Sequence, residues 1–497
     1  MATTQGGALL PIALILPVAA MLLAFPLGGR HVRRIALGTL PAGLLLAVAI
    51  AVLVVRAKAP LVYLVGGWAP PLGIALRADG IAAAMLVTTA IVLGCVGLFA
   101  RAAYPEPAGA REARAPLAFW LLLLALWGAL VAAFVGGDLF NMFVALEMLA
   151  FAALALACLD GRPTQFKAEL RYLLYALLGS VLYLLGCALF YGTYGTLDVV
   201  LLSAVTRADA PTIAAATLMS VGLLAKTALL PLHLWLPPAH SGAPPAASAL
   251  LSAVVVKAAF FLLLRLWFGA LAGVAFAKGA QLLALLGAAA ILIGSVLALA
   301  QVRLKLLVAY STVAQIGYLF LMFPLVTADP LAGAWTGGML QAISHALAKA
   351  AMFLAAGLLG DALGHDRIDG LAGMARAAPR TMLAFALGGM TLMGLPPSGG
   401  FTAKWLLLQA AIATGQWWWA VVILLGGLMT GSYVYRVLQS SLREGAEQEM
   451  RAAGMPIGQQ NAALCLAALS MVLGLLPLGS FGLLQIGRLD VVFRVGG

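Results

Sequence analysis

Six side chains that can exchange a proton stand in apolar surroundings in this 497-residue chain: Glu147, Lys226, Lys257, His345, Lys349 and Lys404. Glu147 lies within Asn141-Met142-Phe143-Val144-Ala145-Leu146-Glu147-Met148-Leu149-Ala150, well inside its apolar run. A carboxylate at that depth is costly unless neutralised or paired, so it marks either a helix-packing hydrogen bond or a proton acceptor. Its proton affinity is set by a competition between desolvation, which favours the neutral acid, and a nearby cation, which favours the carboxylate. Lys226 and Lys257 sit on consecutive apolar runs, too deep for easy snorkelling, and a buried amine can both take and release a proton near neutral pH. Glu147 and Lys226 would then act as a switch. Together both stay charged; apart, the lysine gives up its proton more readily.

Gln341, His345 and Lys349 recur every fourth residue, which lines them up on one helical face, and Ser311, Gln315 and Tyr318 form a similar stripe on the run before. Two such stripes facing each other could hold a chain of side chains and waters. A lone membrane histidine is ordinarily a packing residue; the neighbouring Lys349 is what draws His345 into the set. Lys404 completes the row. His233 and His240, which flank Leu234-Trp235-Leu236-Pro237-Pro238, read as interfacial or loop-fixing residues. Asp138 reads as a helix N-cap and Lys305 as an interface anchor.

The elements that position these residues must be membrane helices. The chain is 64% hydrophobic and 9% charged, and its apolar runs repeatedly exceed the roughly 18 to 20 residues needed to cross a bilayer. About fourteen spans are expected, near residues 8–27, 35–55, 78–100, 116–135, 139–159, 170–192, 211–236, 243–268, 280–300, 304–326, 333–363, 381–413, 417–439 and 460–476. The connections are too short for a soluble domain, so residues 1–497 form a single membrane domain. No Lys or Arg precedes the first run, which is therefore expected to be a retained helix rather than a cleaved signal.

Loops after odd-numbered spans carry Arg30, Arg33 and Arg34; Arg101, Arg111 and Arg114; Arg162 and Lys167; Arg303; Arg367, Arg376 and Arg380; and Arg436, Arg443 and Arg451. Loops after even-numbered spans carry little beyond Arg56, Lys58, Arg77, Arg207 and Lys278. This asymmetry places the first set in the cytoplasm and both termini on the outer side of a cell inner membrane. It also accounts for the net charge of +12 without invoking nucleic acid.

Two spans are broken. In the seventh, Lys226-Thr227-Ala228-Leu229-Leu230 runs into Pro231 and then Pro237-Pro238; in the twelfth, Gly394-Leu395-Pro396-Pro397-Ser398-Gly399-Gly400 interrupts an overlong apolar stretch. Each break has a lysine beside it, Lys226 or Lys404. Unwound backbone at membrane depth is tolerated where protein or water covers it, so paired breaks point to a substrate or ion path. The pairing suggests two five-helix repeats, residues 116–268 and 280–439, with the broken helix fourth in each. Five is odd, so the second copy would be inverted.

Other chemistries find no support. Cys95, Cys158, Cys187 and Cys465 are isolated in apolar runs, which offers no disulfide framework or thiolate metal site. The five histidines make no paired arrangement of the kind that holds a membrane haem, and no dinucleotide or Walker-type loop is present. No cofactor is expected.

The stretch Leu224-Ala225-Lys226-Thr227-Ala228-Leu229-Leu230-Pro231-Leu232-His233-Leu234-Trp235-Leu236-Pro237, with Ala239 to Pro244, Ser248 to Lys257 and Leu264-Arg265, closely resembles the signature of the antiporter-like subunits. These occur in respiratory complex I, Mrp-type cation/proton antiporters and membrane-bound hydrogenases. Leu304 to Tyr318, Ser344 to Lys349, and Gly394-Leu395-Pro396-Pro397 to Phe401 and Lys404 fit the same pattern, so that the resemblance runs from about Asp138 to Lys404. It implies an all-α polytopic fold of fourteen helices with two inverted five-helix repeats and broken helices 7 and 12. It further implies that Glu147, Lys226, Lys257, His345 and Lys404 form a hydrophilic axis along the midplane. The chain stops soon after its last span, without the long lateral helix of the largest members. Lys404 fits the shorter Mrp D-like member or the complex I member next to the quinone module. Arg303 departs from the family, which often has an acidic residue there.

The function expected is therefore a proton-translocating subunit of a larger membrane complex, with Mrp-like or complex I (NADH-quinone oxidoreductase)-like partner subunits, the bilayer around it, and protons, with sodium as a further candidate, as its cargo. The rivals are a scaffold that has lost transport, a stand-alone secondary transporter and, weakest, a catalytic oxidoreductase.

Overall fold

The computed structural model describes residues 2–105, 114–161, 163–274, 276–331, 333–444 and 454–490; Arg111, Arg162 and Arg451 of the basic loops lie outside the described residues. Among the described residues, thirteen helices are long and apolar enough to cross a membrane. The two halves of the broken twelfth helix, Pro379–Met393 and Gly399–Ala413, supply a further crossing between them. The chain is thus a multi-pass all-α membrane protein, as its hydropathy demands.

The arrangement follows from which spans carry polar side chains. The eighth (Pro245–Ala270) and eleventh (Ala334–Leu363) spans are buried through their apolar stretches, with the tenth (Leu304–Ala328) nearly so, whereas the first (Leu9–Leu27) and second (Gly29–Ala57) expose most of their surface. A span that carries lysine, histidine or glutamine must turn it away from lipid, while one that is apolar around its circumference can face lipid, and these two situations sort the spans into a centre and a rim. Lys257, Lys349, His345 and Gln341 all ride on the two central helices.

Aspartates start the third, fifth and seventh spans. Asp79 caps Gly80–Ala103, Asp138 caps Leu139–Ala157 by accepting from the Phe140 and Asn141 amides at 2.8 and 3.1 Å, and Asp209 caps Ala210–Thr227. Each oxygen satisfies an orphan donor of the first turn, and a negative charge there also suits the helix dipole. Asp138 is therefore the cap its position suggested. One element has no counterpart in the hydropathy pattern: a two-stranded antiparallel hairpin, Leu61–Leu64 with Ala75–Ala78, links the second and third spans.

Two short backbone bridges mark a correspondence between the halves. Asp138, before the fifth span, pairs with Asp198, after the sixth (Pro163–Tyr194); Arg303, before the tenth span, pairs with Arg367, after the eleventh. The same joint is made at the same place in each half, with opposite charges on it.

Candidate functional site

The seventh helix runs from Ala210 to Thr227 and stops at Ala228, which takes a left-handed backbone (φ 57°) that residues other than glycine adopt rarely. The carbonyl of Ala225, freed by this break, accepts the Trp235 indole N–H at 2.9 Å. Lys226 occupies the last turn, and its Nζ lies 2.8 Å from Glu147 Oε1. Ser180, on the sixth span, donates to the same carboxylate oxygen. The sixth and seventh spans come this close because glycines face each other. A Cβ on Gly179 would lie 2.6 Å from the Gly222 carbonyl oxygen, and one on Gly222 would lie 2.4 Å from that of Gly179. Three helices therefore converge on one carboxylate. Its side chain is 21% exposed against 7% for that of Lys226.

Lys257 follows a π-helical turn, Leu251–Val255, in the eighth span. Widening a helix by one residue displaces its carbonyls from the usual ladder. The Lys257 ammonium donates back to the carbonyl of Ser252 within that turn. Ser252 Oγ lies 3.0 Å from Thr312 Oγ1, and Thr312 donates to the Val308 carbonyl at 3.0 Å. That same carbonyl accepts Lys349 Nζ at 2.8 Å, and Lys349 also donates to Ser311. A continuous polar thread thus joins the lysines of the eighth and eleventh spans through the tenth.

A second polar cluster on the same two stripes lies at the second break. Gln341 donates to Gln315 at 3.0 Å; Gln315 donates to the carbonyl of Leu392 at 3.1 Å and to Thr430 at 3.2 Å. Lys404 Nζ donates to the carbonyls of Leu392 at 2.5 Å and Met393 at 3.2 Å, and stands 4.1 Å from the centre of the Tyr318 ring. Leu392 and Met393 end the first half of the twelfth helix, where Gly394 turns the chain at φ 85°. Lys404 thus sits on carbonyls that the helix leaves unpaired. The stripes Gln341, His345, Lys349 and Ser311, Gln315, Tyr318 meet face to face. His345 lies among them, buried, with neither ring nitrogen hydrogen-bonded among the described residues.

The lysines differ in kind. Lys226 has a carboxylate partner, whereas the bonds that hold Lys257, Lys349 and Lys404 are to carbonyl and hydroxyl oxygens. Such oxygens solvate a cation without cancelling its charge, so simultaneous protonation of neighbouring lysines is opposed by repulsion. A row of this kind is suited to passing few protons among many sites.

Four placements were not anticipated. His240 is fully buried rather than interfacial. It stacks on Phe353 with ring centres 4.4 Å apart, and both its ring nitrogens lack partners among the described residues. The cause is that the segment after the break folds back into the bundle as the short helix Leu236–Gly242, against the sixth and tenth spans. Lys305 ties the start of the tenth span to this segment, with Nζ 3.4 Å from the Ala243 carbonyl. Arg303 pairs with Asp366 at 2.9 and 3.0 Å. Glu169 was missed altogether. It is buried on the sixth span, whose helix begins at Pro163, several residues before the apolar run that marks it in the sequence. The three- and four-residue spacing of Gln165, Glu169 and Tyr172 is the signal that would have found it.

Residues 136–430 match the sequence profile described as NADH:quinone oxidoreductase/Mrp antiporter, TM. The chain is 35% identical over 477 residues to NADH-quinone oxidoreductase subunit N of Desulforudis audaxviator (strain MP104C), covering 94% of this chain and 92% of that one. It is 29% identical over 377 residues to a Na(+)/H(+) antiporter subunit of Bacillus subtilis (strain 168), covering 75% and 74%. Its fold is similar to that of a chain in the structure of the Mrp complex from Dietzia sp. DQ12-45-1b, with a TM-score of 0.86, 24% identity and 98% of each chain covered.

Proposed function

The chain belongs to the NADH:quinone oxidoreductase/Mrp antiporter transmembrane family, and from that premise we propose that it carries protons through the membrane along Glu147, Lys226, Lys257, His345, Lys349 and Lys404, as one subunit of a multisubunit membrane complex. The observation that carries the reading is the polar thread that links Lys257 on the eighth span to Lys349 on the eleventh through Ser252, Thr312 and Val308. A proton is taken up near Lys226 and Lys257, crosses by His345 and Lys349, and leaves near Lys404. The parent assembly is Mrp-like or complex I-like, which the likeness to subunits of both kinds supports.

Residues 116–268 and 280–439 are taken as the two repeats, and the matching bridges at Asp138–Asp198 and Arg303–Arg367 support that division. The arginines of the loops after odd-numbered spans support an outer location for both termini.

Reconstitution of the parent complex with Lys226→Ala tests the proposal. An imposed pH gradient across proteoliposomes, followed with an internal pH dye, should collapse much more slowly than with the unaltered complex. Undiminished proton movement in an intact assembly would refute the role.

A further inference from the structure

The inward face of the sixth span carries more than Ser180. Gln165, Glu169, Tyr172, Ala176, Ser180 and Tyr183 are all buried along it, at spacings that keep one face of an α-helix. Glu169 is 2% exposed, and its Oε2 has no hydrogen-bond partner among the described residues. It stands about three turns from Ser180, the residue that holds Glu147, on the side of the loop joining the fifth and sixth spans. Between them along the helix Tyr172 stacks on Trp235 with ring centres 4.4 Å apart. At the far end Gln165 donates to Asp160 at 3.3 Å and to the Gly242 carbonyl at 2.6 Å.

We propose that Glu169 is the proton-loading group for the Glu147–Lys226 pair, taking protons from the Asp160 and Gln165 end of the stripe and passing them by way of Tyr172. This rests on the proton-carrying role proposed above. An acid that must hand a proton inward cannot be locked to a permanent cation, and no ion pair holds Glu169 among the described residues, unlike Glu147. The titratable groups on the elements packed around the stripe are Cys158 and Glu147 from the fifth span, Lys226 from the seventh, and His240 from the folded-back segment. Lys226 is already engaged by Glu147. In one transfer, the Glu169 O–H bond breaks as its proton bonds to the Tyr172 hydroxyl oxygen, the proton that hydroxyl gives up forms an O–H bond on a Glu147 carboxylate oxygen, and the carboxylate left at Glu169 is reprotonated from the loop side. Nothing is oxidised or reduced.

The test uses proteoliposomes of the complete parent complex under an imposed pH gradient, with Glu169→Gln, Glu169→Asp and Lys226→Ala compared. The expected result is a fall in proton flux of at least about tenfold for Glu169→Gln, a smaller fall for Glu169→Asp, and recovery of the glutamine variant when formate, a small weak acid, is supplied on the loop side. Protein-free liposomes given the same formate set the leak carried by the permeant acid itself, and a purely structural role would not be rescued above that background. If Glu169→Gln fails to assemble, Glu169→Asp is read alone, and a slowed flux that formate restores supports the proposal. Unchanged flux in the Glu169 variants beside a blocked Lys226→Ala overturns the loading role and leaves the path intact. Unchanged flux in all three overturns both.

Discussion

Ser180 precedes its bridge residue Asp198 by the same interval at which Lys349 precedes Arg367. Ser180 donates to Glu147 on the fifth span; Lys349 donates to Ser311 and to the Val308 carbonyl on the tenth. One structural node is thus built twice, around a carboxylate and a hydroxyl in one half and around an ammonium and a carbonyl in the other. The half with the acid can hold a paired charge, while the half with the lone lysine must accept a proton at a cost or pass it on.

Lys349→Met separates that role from packing. Methionine has a similar volume, and the Val308 carbonyl keeps Ser311 and Thr312 as donors at 2.8 and 3.0 Å, so no acceptor is orphaned. The variant should assemble with a stability change within about 1 kcal/mol, yet lose at least about tenfold in proton flux. Assembly measured by native electrophoresis beside flux in proteoliposomes checks both halves of the statement, and normal flux would remove Lys349 from the path.

Glu147→Gln retains an oxygen for Ser180 and Lys226 but removes the countercharge. Flux should fall, while the double variant Glu147→Gln with Lys226→Met should be more stable than Lys226→Met alone, which leaves a largely buried carboxylate without its cation. A coupling of about 0.5–2 kcal/mol is expected, reduced because Glu147 is partly open to its surroundings. Thermal unfolding of the four variants of this cycle in detergent gives the number, and additive effects would mean that the pair is not coupled.

How far the sequence could be read depended on whether a residue's role was local. The broken helices were legible because Pro231, Pro396 and Pro397 act on their own backbone. The facing of Gln341 with Gln315 was legible because each stripe has a helical period. Glu169 was hidden by a helix that continues past the end of its apolar run, since hydropathy marks where lipid begins and not where the backbone stops coiling. For His240 the interfacial and loop-fixing readings stayed open together, because the sequence does not say which way a chain turns after a break. The Asp79–Arg265 pair joins residues on distant spans, and no periodicity connects them.

That pair sets a pH dependence. Asp79 lies just before the third span; burial alone would raise its carboxyl, but the Arg265 guanidinium, engaging it through two nitrogens, together with Arg77 and the Ala82 amide holds it below the usual carboxylate range. A depressed folded-state value contributes stability that is present above the unfolded value, about pH 4, and is lost as pH falls through the folded value. Asp79→Asn should therefore flatten the acid limb of a stability profile taken from about pH 3 to 7. It should also destabilise at neutral pH by about 3–5 kcal/mol, because Arg265 is left buried without a countercharge. Pairing it with Arg265→Met should recover part of that loss. An acid limb unchanged in the asparagine variant would show that other carboxylates govern it.

At the second break, Gln315 and Lys404 donate to one carbonyl, that of Leu392. Their removal should have opposite consequences for structure and transport. Gln315→Leu leaves Lys404 on the carbonyl but strands the Gln341 amide, which costs about 1–3 kcal/mol while sparing most of the flux; Thr430 keeps the Gly426 carbonyl and the Tyr433 hydroxyl as partners. Lys404→Met leaves Gln315 on Leu392 but takes the Met393 carbonyl's donor and the cation over Tyr318, and blocks proton release. Lys404→Arg should not restore it, because the planar guanidinium must fit where the Tyr318 ring stands 4.1 Å from the ammonium. Thermal stability and proton flux measured on the same three preparations decide the matter: if Gln315→Leu abolishes flux while Lys404→Met spares it, the path leaves the protein through the glutamines instead.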